Sequence, residues 1–181
     1  GGVSFVLFYW VARRDWRELA INTELRWYIG FVLFFCGAVS ALLWYSGTYE
    51  PTDSLRFGTF QVMSLLTTTG FTTADYELWP NSVQTLLYVV CFIGACAGST
   101  TSGIKIVHFV IICKFMVAAT RRTFFNPLAV LSVRLNGQRI DLTVIHLALC
   151  YFIVNIFLVL AGGCFMSIVD DMDLQSAMSA V

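Results

Sequence analysis

Charge is what this sequence holds least of. Eleven Lys and Arg and eleven Asp and Glu make up 12% of 181 residues, about half of the roughly 25% expected in a soluble domain. With 58% hydrophobic residues, a soluble fold could not keep so much apolar surface out of water, which leaves an integral membrane protein. Net charge is zero, so nothing calls for nucleic acid or an acidic substrate. Cysteine pairs in polar loops are also missing: Cys36, Cys91, Cys96, Cys113, Cys150 and Cys164 all fall in apolar runs, and buried free thiols are expected. Cys91, Cys96 and His108 match no common zinc spacing, and no cofactor is implied. There is neither an initiator methionine nor a signal peptide. The chain begins inside an apolar run and stops at Val181, so it reads as a piece of a longer polypeptide.

What is present is organised in membrane-sized pieces. Residues 1–26 read as the tail of a membrane helix and a polar connection, and 27–45 as a span with Trp and Tyr at both ends, as expected at membrane interfaces. Residues 55–66 predict a helix of about 18 Å, too short to cross. It runs into Thr67, Thr68, Thr69, Gly70, Phe71 and Thr72. Lipid cannot satisfy irregular backbone, so a re-entrant pore helix and loop is the economical solution. Residues 82–120 are nearly twice a normal span and are interrupted by Gly98, Ser99, Thr100, Thr101, Ser102 and Gly103, which predicts one long, broken helix. The complete span–pore–span unit is therefore 27–120. Residues 121–141 form a basic connection with Asn126-Pro127 and Asn136-Gly137, and 142–181 a further span followed by the start of a second pore helix at 174–179. The expected fold is an all-α membrane protein.

Charge placement gives a topology. Arg13, Arg14, Arg17, Arg26, Lys114, Arg121, Arg122, Arg134 and Arg139 fall on one side. Glu50, Asp53, Asp75, Glu77, Asp170, Asp171 and Asp173 fall on the other, with only Arg56 against them. Basic loops lie inside, so the 67–72 loop opens from outside, and the basic loops meet lipid head groups or a cytosolic partner.

A pore helix entering from outside aims its partially negative C-terminus at the membrane centre, which favours a cation. Its continuation offers backbone carbonyls from Thr67, Thr68, Thr69 and Phe71, the way a protein replaces the water around potassium. Gly70 supplies the freedom to aim them, and Phe71 is expected to wedge the loop against neighbouring helices. A Thr-rich helix end with a glycine cap is the plainer alternative. Gly98 to Gly103 resembles a phosphate loop in spacing only, because Ile104 precedes Lys105 and no hydroxyl follows. An intramembrane loop beneath the filter fits better. Lys105 lies roughly 23 Å of helix from residue 120, deep enough that it faces either the pathway or a carboxylate in a segment outside this chain. His108 and His146 read as structural, and Asn155 as helix packing.

The segments SLLTTTGFTTADYELWP (64–80) and GACAGSTTSGIK (94–105), with GGVSF (1–5) in support, resemble the Trk/Ktr/HKT potassium-transporter superfamily, most of all its bacterial Trk-type membrane subunit. The resemblance implies potassium uptake across the bacterial cytoplasmic (inner) membrane through four span–pore–span units, of which this chain would hold the end of the second, all of the third and the start of the fourth. It places the potassium filter at Thr67–Phe71 and a gating loop at 97–105 that includes Lys105. It also implies a homodimer regulated by a cytosolic nucleotide-binding ring. Thr101 and Ser102 stand where the family often carries glycines. Other readings are a tetrameric two-span cation channel and a sodium-permeable relative. A membrane enzyme would need a polar triad or metal ligands facing one cavity, which the sequence lacks.

Overall fold

The structure is a computed structural model and describes residues 2–125, 133–135 and 138–169. The expected second pore helix at 174–179, the acidic run at 170–173, Asn126-Pro127 and Asn136-Gly137 lie outside the described residues. Two compact units are present, 1–107 and 108–181.

In the first unit a short helix α1 (Phe5–Ala12) and a one-and-a-half-turn α2 (Trp16–Ile21) lead into α3 (Thr23–Tyr45). At 23 residues α3 is long and apolar enough to cross a membrane. It starts four residues before the expected 27, because the Asn22 side chain caps it by accepting the Leu25 N–H at 2.9 Å. The extra turn carries Glu24. After a turn at Gly47, α4 (Pro51–Leu66) also starts four residues earlier than expected. Pro51 occupies its first turn and Asp53 complements the positive end of its dipole. Its 16 residues span about 24 Å, still short of the roughly 30 Å hydrocarbon layer. A single 3-10 turn (Tyr76–Leu78) then leads to α5 (Asn81–Phe92).

These helices pack around Phe35, Val39 and Leu43 of α3, Val62 and Leu66 of α4, and Val83, Leu87 and Val90 of α5, all buried. The spacings of three and four keep each set on one helix face. On α4 the stripe continues through Gly58 to Ser54. A Cβ at Gly58 would meet Ser40 Oγ at 2.8 Å and Ser40 backbone at 3.2 Å, so here α3 and α4 touch backbone to backbone. Gly58→Leu is expected to destabilise the protein by about 1–3 kcal/mol through overpacking, seen as a lowered melting midpoint in detergent.

The second unit takes in α6 (Ile106–Phe125) from His108 on, a short antiparallel pair β1 (Val133–Leu135) and β2 (Gln138–Ile140), and α7 (Leu142–Val169). β1 and β2 pair Val133 with Ile140 and Leu135 with Gln138. Among the described residues this is the only pair of strands; the other regular elements are helices. α7 too is long and apolar enough to span. His108 stacks on Tyr151 at 4.7 Å between ring centroids. Asn155 donates to the Tyr151 carbonyl at 2.8 Å within its own helix, not across to a neighbour.

All six cysteines are free thiols, but only Cys96 is fully buried. Cys91, Cys113, Cys150 and Cys164 are exposed, which corrects the expectation of buried thiols: the apolar runs that carry them turn those faces outward.

Candidate functional site: two irregular loops

The first loop grows out of the end of α4. Thr68 N–H donates to Leu65 O at 2.9 Å and Thr69 N–H to Ser64 O at 2.9 Å. This is the paired closure of a Schellman cap, with Thr68 in the left-handed position at φ +52°. Glycine normally fills that position, and here it follows two residues later, as Gly70 at φ +76°. The helix end is capped as the plainer alternative expects, but by Thr68 and not by a glycine, and Gly70 falls in the irregular backbone that follows. Side chains brace the turn. Thr67 Oγ1 donates to Met63 O at 2.7 Å and shares a hydrogen with Thr69 Oγ1 at 2.6 Å. Ser64 Oγ donates to Phe71 O at 2.6 Å, a tie absent from the expectation that counted Phe71 among the carbonyl donors.

Among the described residues, no hydrogen bond ends on the carbonyl oxygens of Thr67, Thr68 or Thr69. Three successive acceptors without protein partners cost free energy unless water or a cation meets them. Thr68, Thr69 and Gly70 are exposed. Phe71 is 69% exposed, so the expected wedge has no covering helix among the described residues.

The second loop separates α5 from α6. The break is wider than its glycines suggest: α5 ends at Phe92 and α6 begins at Ile106. Ile93 and Ile104 form a parallel bridge across the base of the excursion. Gly94 N–H donates to Ile104 O at 2.9 Å, Ile104 N–H to Phe92 O at 3.2 Å, and Ile106 N–H to Ala95 O at 3.2 Å. Gly94 permits that approach, since a Cβ there would lie 2.7 Å from Ser102 O and 3.0 Å from the Gly103 carbonyl. Within the ring, Ser99 Oγ donates to Cys96 O at 2.6 Å and pairs with Thr101 Oγ1 at 2.9 Å. Ala95 N–H reaches Thr101 Oγ1 at 3.3 Å. Gly98 and Gly103 both take positive φ. Ser102 is exposed, whereas Thr101 is buried.

Lys105, half-buried, folds back on this ring. Its ammonium donates to Thr101 O, to Thr101 Oγ1 at 3.1 Å and to Ser99 O at 3.4 Å. Glu24 of α3 lies within electrostatic reach of this ammonium. Glu24 Oε1 accepts the Ala97 N–H. The N-terminal segment completes the lacing: Cys96 N–H donates to Gly2 O at 3.0 Å, and Phe5 N–H to Gly98 O at 3.4 Å. In the sequence, Glu24 falls in the polar connection that precedes residue 27. Its signal was the Asn22 cap, which moves it into the helix.

Among the described residues no hydrogen bond joins the two loops, and no three His, Cys, Asp or Glu side chains converge as a metal site.

Residues 29–181 match the family model described as TrkH, a cation transport protein. Among curated proteins, the chain is 34% identical over 125 residues to the Trk system potassium uptake protein TrkH of Halomonas elongata, covering 66% of this chain and 26% of that protein. It is 30% identical over 156 residues to the protein of the same name from Salmonella typhimurium, covering 82% and 31%. The crystal structure of the potassium transporter TrkH from Vibrio parahaemolyticus superposes with a TM-score of 0.85 at 26% identity, over 99% of this chain and 39% of that one. The chain thus spans between a quarter and a third of the length of these curated relatives.

Proposed function

This chain belongs to the TrkH family of cation transport proteins, and from that premise we propose that it supplies one pore-lining unit of a potassium-uptake protein. The family is one of transporters, not enzymes. In this reading 27–120 is one span–pore–span unit. The carbonyls of Thr67, Thr68 and Thr69 take over the hydration of a potassium ion, and the ring at 97–105 beneath them gates the path. The remaining units come from the same longer polypeptide, working as a homodimer in the bacterial inner membrane under a cytosolic nucleotide-binding ring.

The observation that carries the reading is that, among the described residues, three successive carbonyls, of Thr67, Thr68 and Thr69, accept no hydrogen bond at the end of a helix too short to span. The end of α4 adds its dipole to the same spot, favouring positive charge there. The outward apolar faces of α3 and α7, among them Leu33, Phe34, Leu147 and Phe157, suit contact with lipid or with further helices of the same polypeptide.

Two properties separate this from a two-span tetrameric channel: the four units of one pore would lie on one polypeptide, and the broken α5–α6 span would gate it. The test is growth rescue. Cells lacking potassium uptake and supplied with the full-length parent are expected to grow on limiting potassium and to take up rubidium. Failure of both, with the protein present in the membrane, would remove the assignment.

A further inference from the structure

Glu24 is a carboxylate that the transport reading leaves without a task. It sits in the first turn of α3, whose start is fixed by the Asn22 cap, and accepts a hydrogen bond from Ala97, 73 positions further along. Ala97 lies between the two residues that the N-terminal segment holds, Cys96 through Gly2 O and Gly98 through Phe5 N–H. Those two ties are neutral backbone bonds. The tie from Glu24 is the charged one, and bonds of that kind are about twice as strong. Without it the Ala97 N–H, already outside any helix, would lose its partner in a low-dielectric setting. Within electrostatic reach of the same carboxylate is Lys105, whose ammonium donates to Ser99 O and Thr101 Oγ1.

We infer that Glu24 is the positioning residue of the gate: by holding Ala97 it keeps the 97–105 ring in the conformation described, and its removal lets the ring leave. The inference rests on the reading of that ring as a gate. Ala97 has no side chain with which to anchor itself, and Gly98 beside it carries a left-handed backbone. At this point the ring is held from outside by a charged side-chain acceptor, beside the neutral Gly2 carbonyl at Cys96.

The experiment uses the full-length parent reconstituted in liposomes, with unstimulated rubidium flux per protein as the readout. Glu24→Ala is expected to raise that flux on the order of tenfold, the factor that one charged hydrogen bond supports. The potassium-to-sodium preference should stay unchanged, which a general loosening of the fold would not leave intact. Glu24→Gln keeps the acceptor and loses the charge, so it should raise flux only about two- to threefold. It carries the test if the alanine variant does not fold. Flux that stays level or falls in both variants overturns the inference. A rise in Lys105→Ala without one in either Glu24 variant leaves the gate reading standing and removes Glu24 from it. No change in any of the three removes the gate reading itself.

Discussion

Gly70→Ser is expected to cost the protein about tenfold of its preference for potassium over sodium while lowering its stability by no more than about 1–2 kcal/mol. The cause is conformational. A Cβ at Gly70 meets nothing within 4 Å, so there is room for the side chain. However, Gly70 sits at φ +76°, where an L-residue other than glycine pays roughly 1–2 kcal/mol. That rotation sets the plane of the preceding peptide, whose oxygen is the Thr69 carbonyl. A serine that relaxes toward negative φ swings this carbonyl out of the row. Thr68 already bears a left-handed backbone at φ +52°, so the turn has little freedom left to compensate. Gly47 provides the control, with φ +69° and equally open space at a turn far along the chain from the loop. Gly47→Ser should show the same small loss of stability and no change in ion preference. Competition between rubidium and sodium uptake reads out both variants. An unaltered preference in Gly70→Ser would remove the filter from these residues.

Gly94→Ala is expected to have the larger effect on gating. The added methyl would lie 2.7 Å from Ser102 O and 3.0 Å from both the carbon and the oxygen of the Gly103 carbonyl. All three are backbone atoms and cannot rotate away as a side chain would. The clash forces apart the strands that Gly94 N–H and Ile104 O hold at 2.9 Å. A cost of about 1–3 kcal/mol follows from overpacking of this kind, and it falls on the conformation described here. Unstimulated flux should rise further than in Glu24→Ala, and the melting midpoint should drop with it. Unchanged flux together with unchanged melting would mean that this apposition does not define the resting loop.

Much of this architecture was legible in the sequence, because the features that announce it are local. Trp27 and Tyr45 mark a span, and the bounds of α7 follow from an uninterrupted apolar run. The 67–72 loop and the break near Gly98 declare themselves through hydroxyls and glycines. The early starts of α3 and α4 were also readable, since Asn22 is a capping residue and Pro51 favours a first turn. What the sequence concealed is long-range. The break extends back to Ile93, and Ile93, Ala95 and Cys96 continue the apolar pattern while the backbone leaves the helix. Nothing local marks Glu24 as a partner of Ala97. The left-handed Thr68 was equally hidden, because the motif leads one to look for glycine there, and the side-chain lacing from Thr67 and Ser64 accompanies the less favourable residue.

The bridge between Ile93 and Ile104 has a mechanical consequence. It closes the excursion at its neck, so tension along α5 passes through the neck and largely bypasses the residues between. Those residues are reached instead through Gly2, Phe5 and Glu24, and from the start of α6 through Ile106 and Lys105. A tug on the N-terminal segment would therefore reach them sooner than a tug on α5.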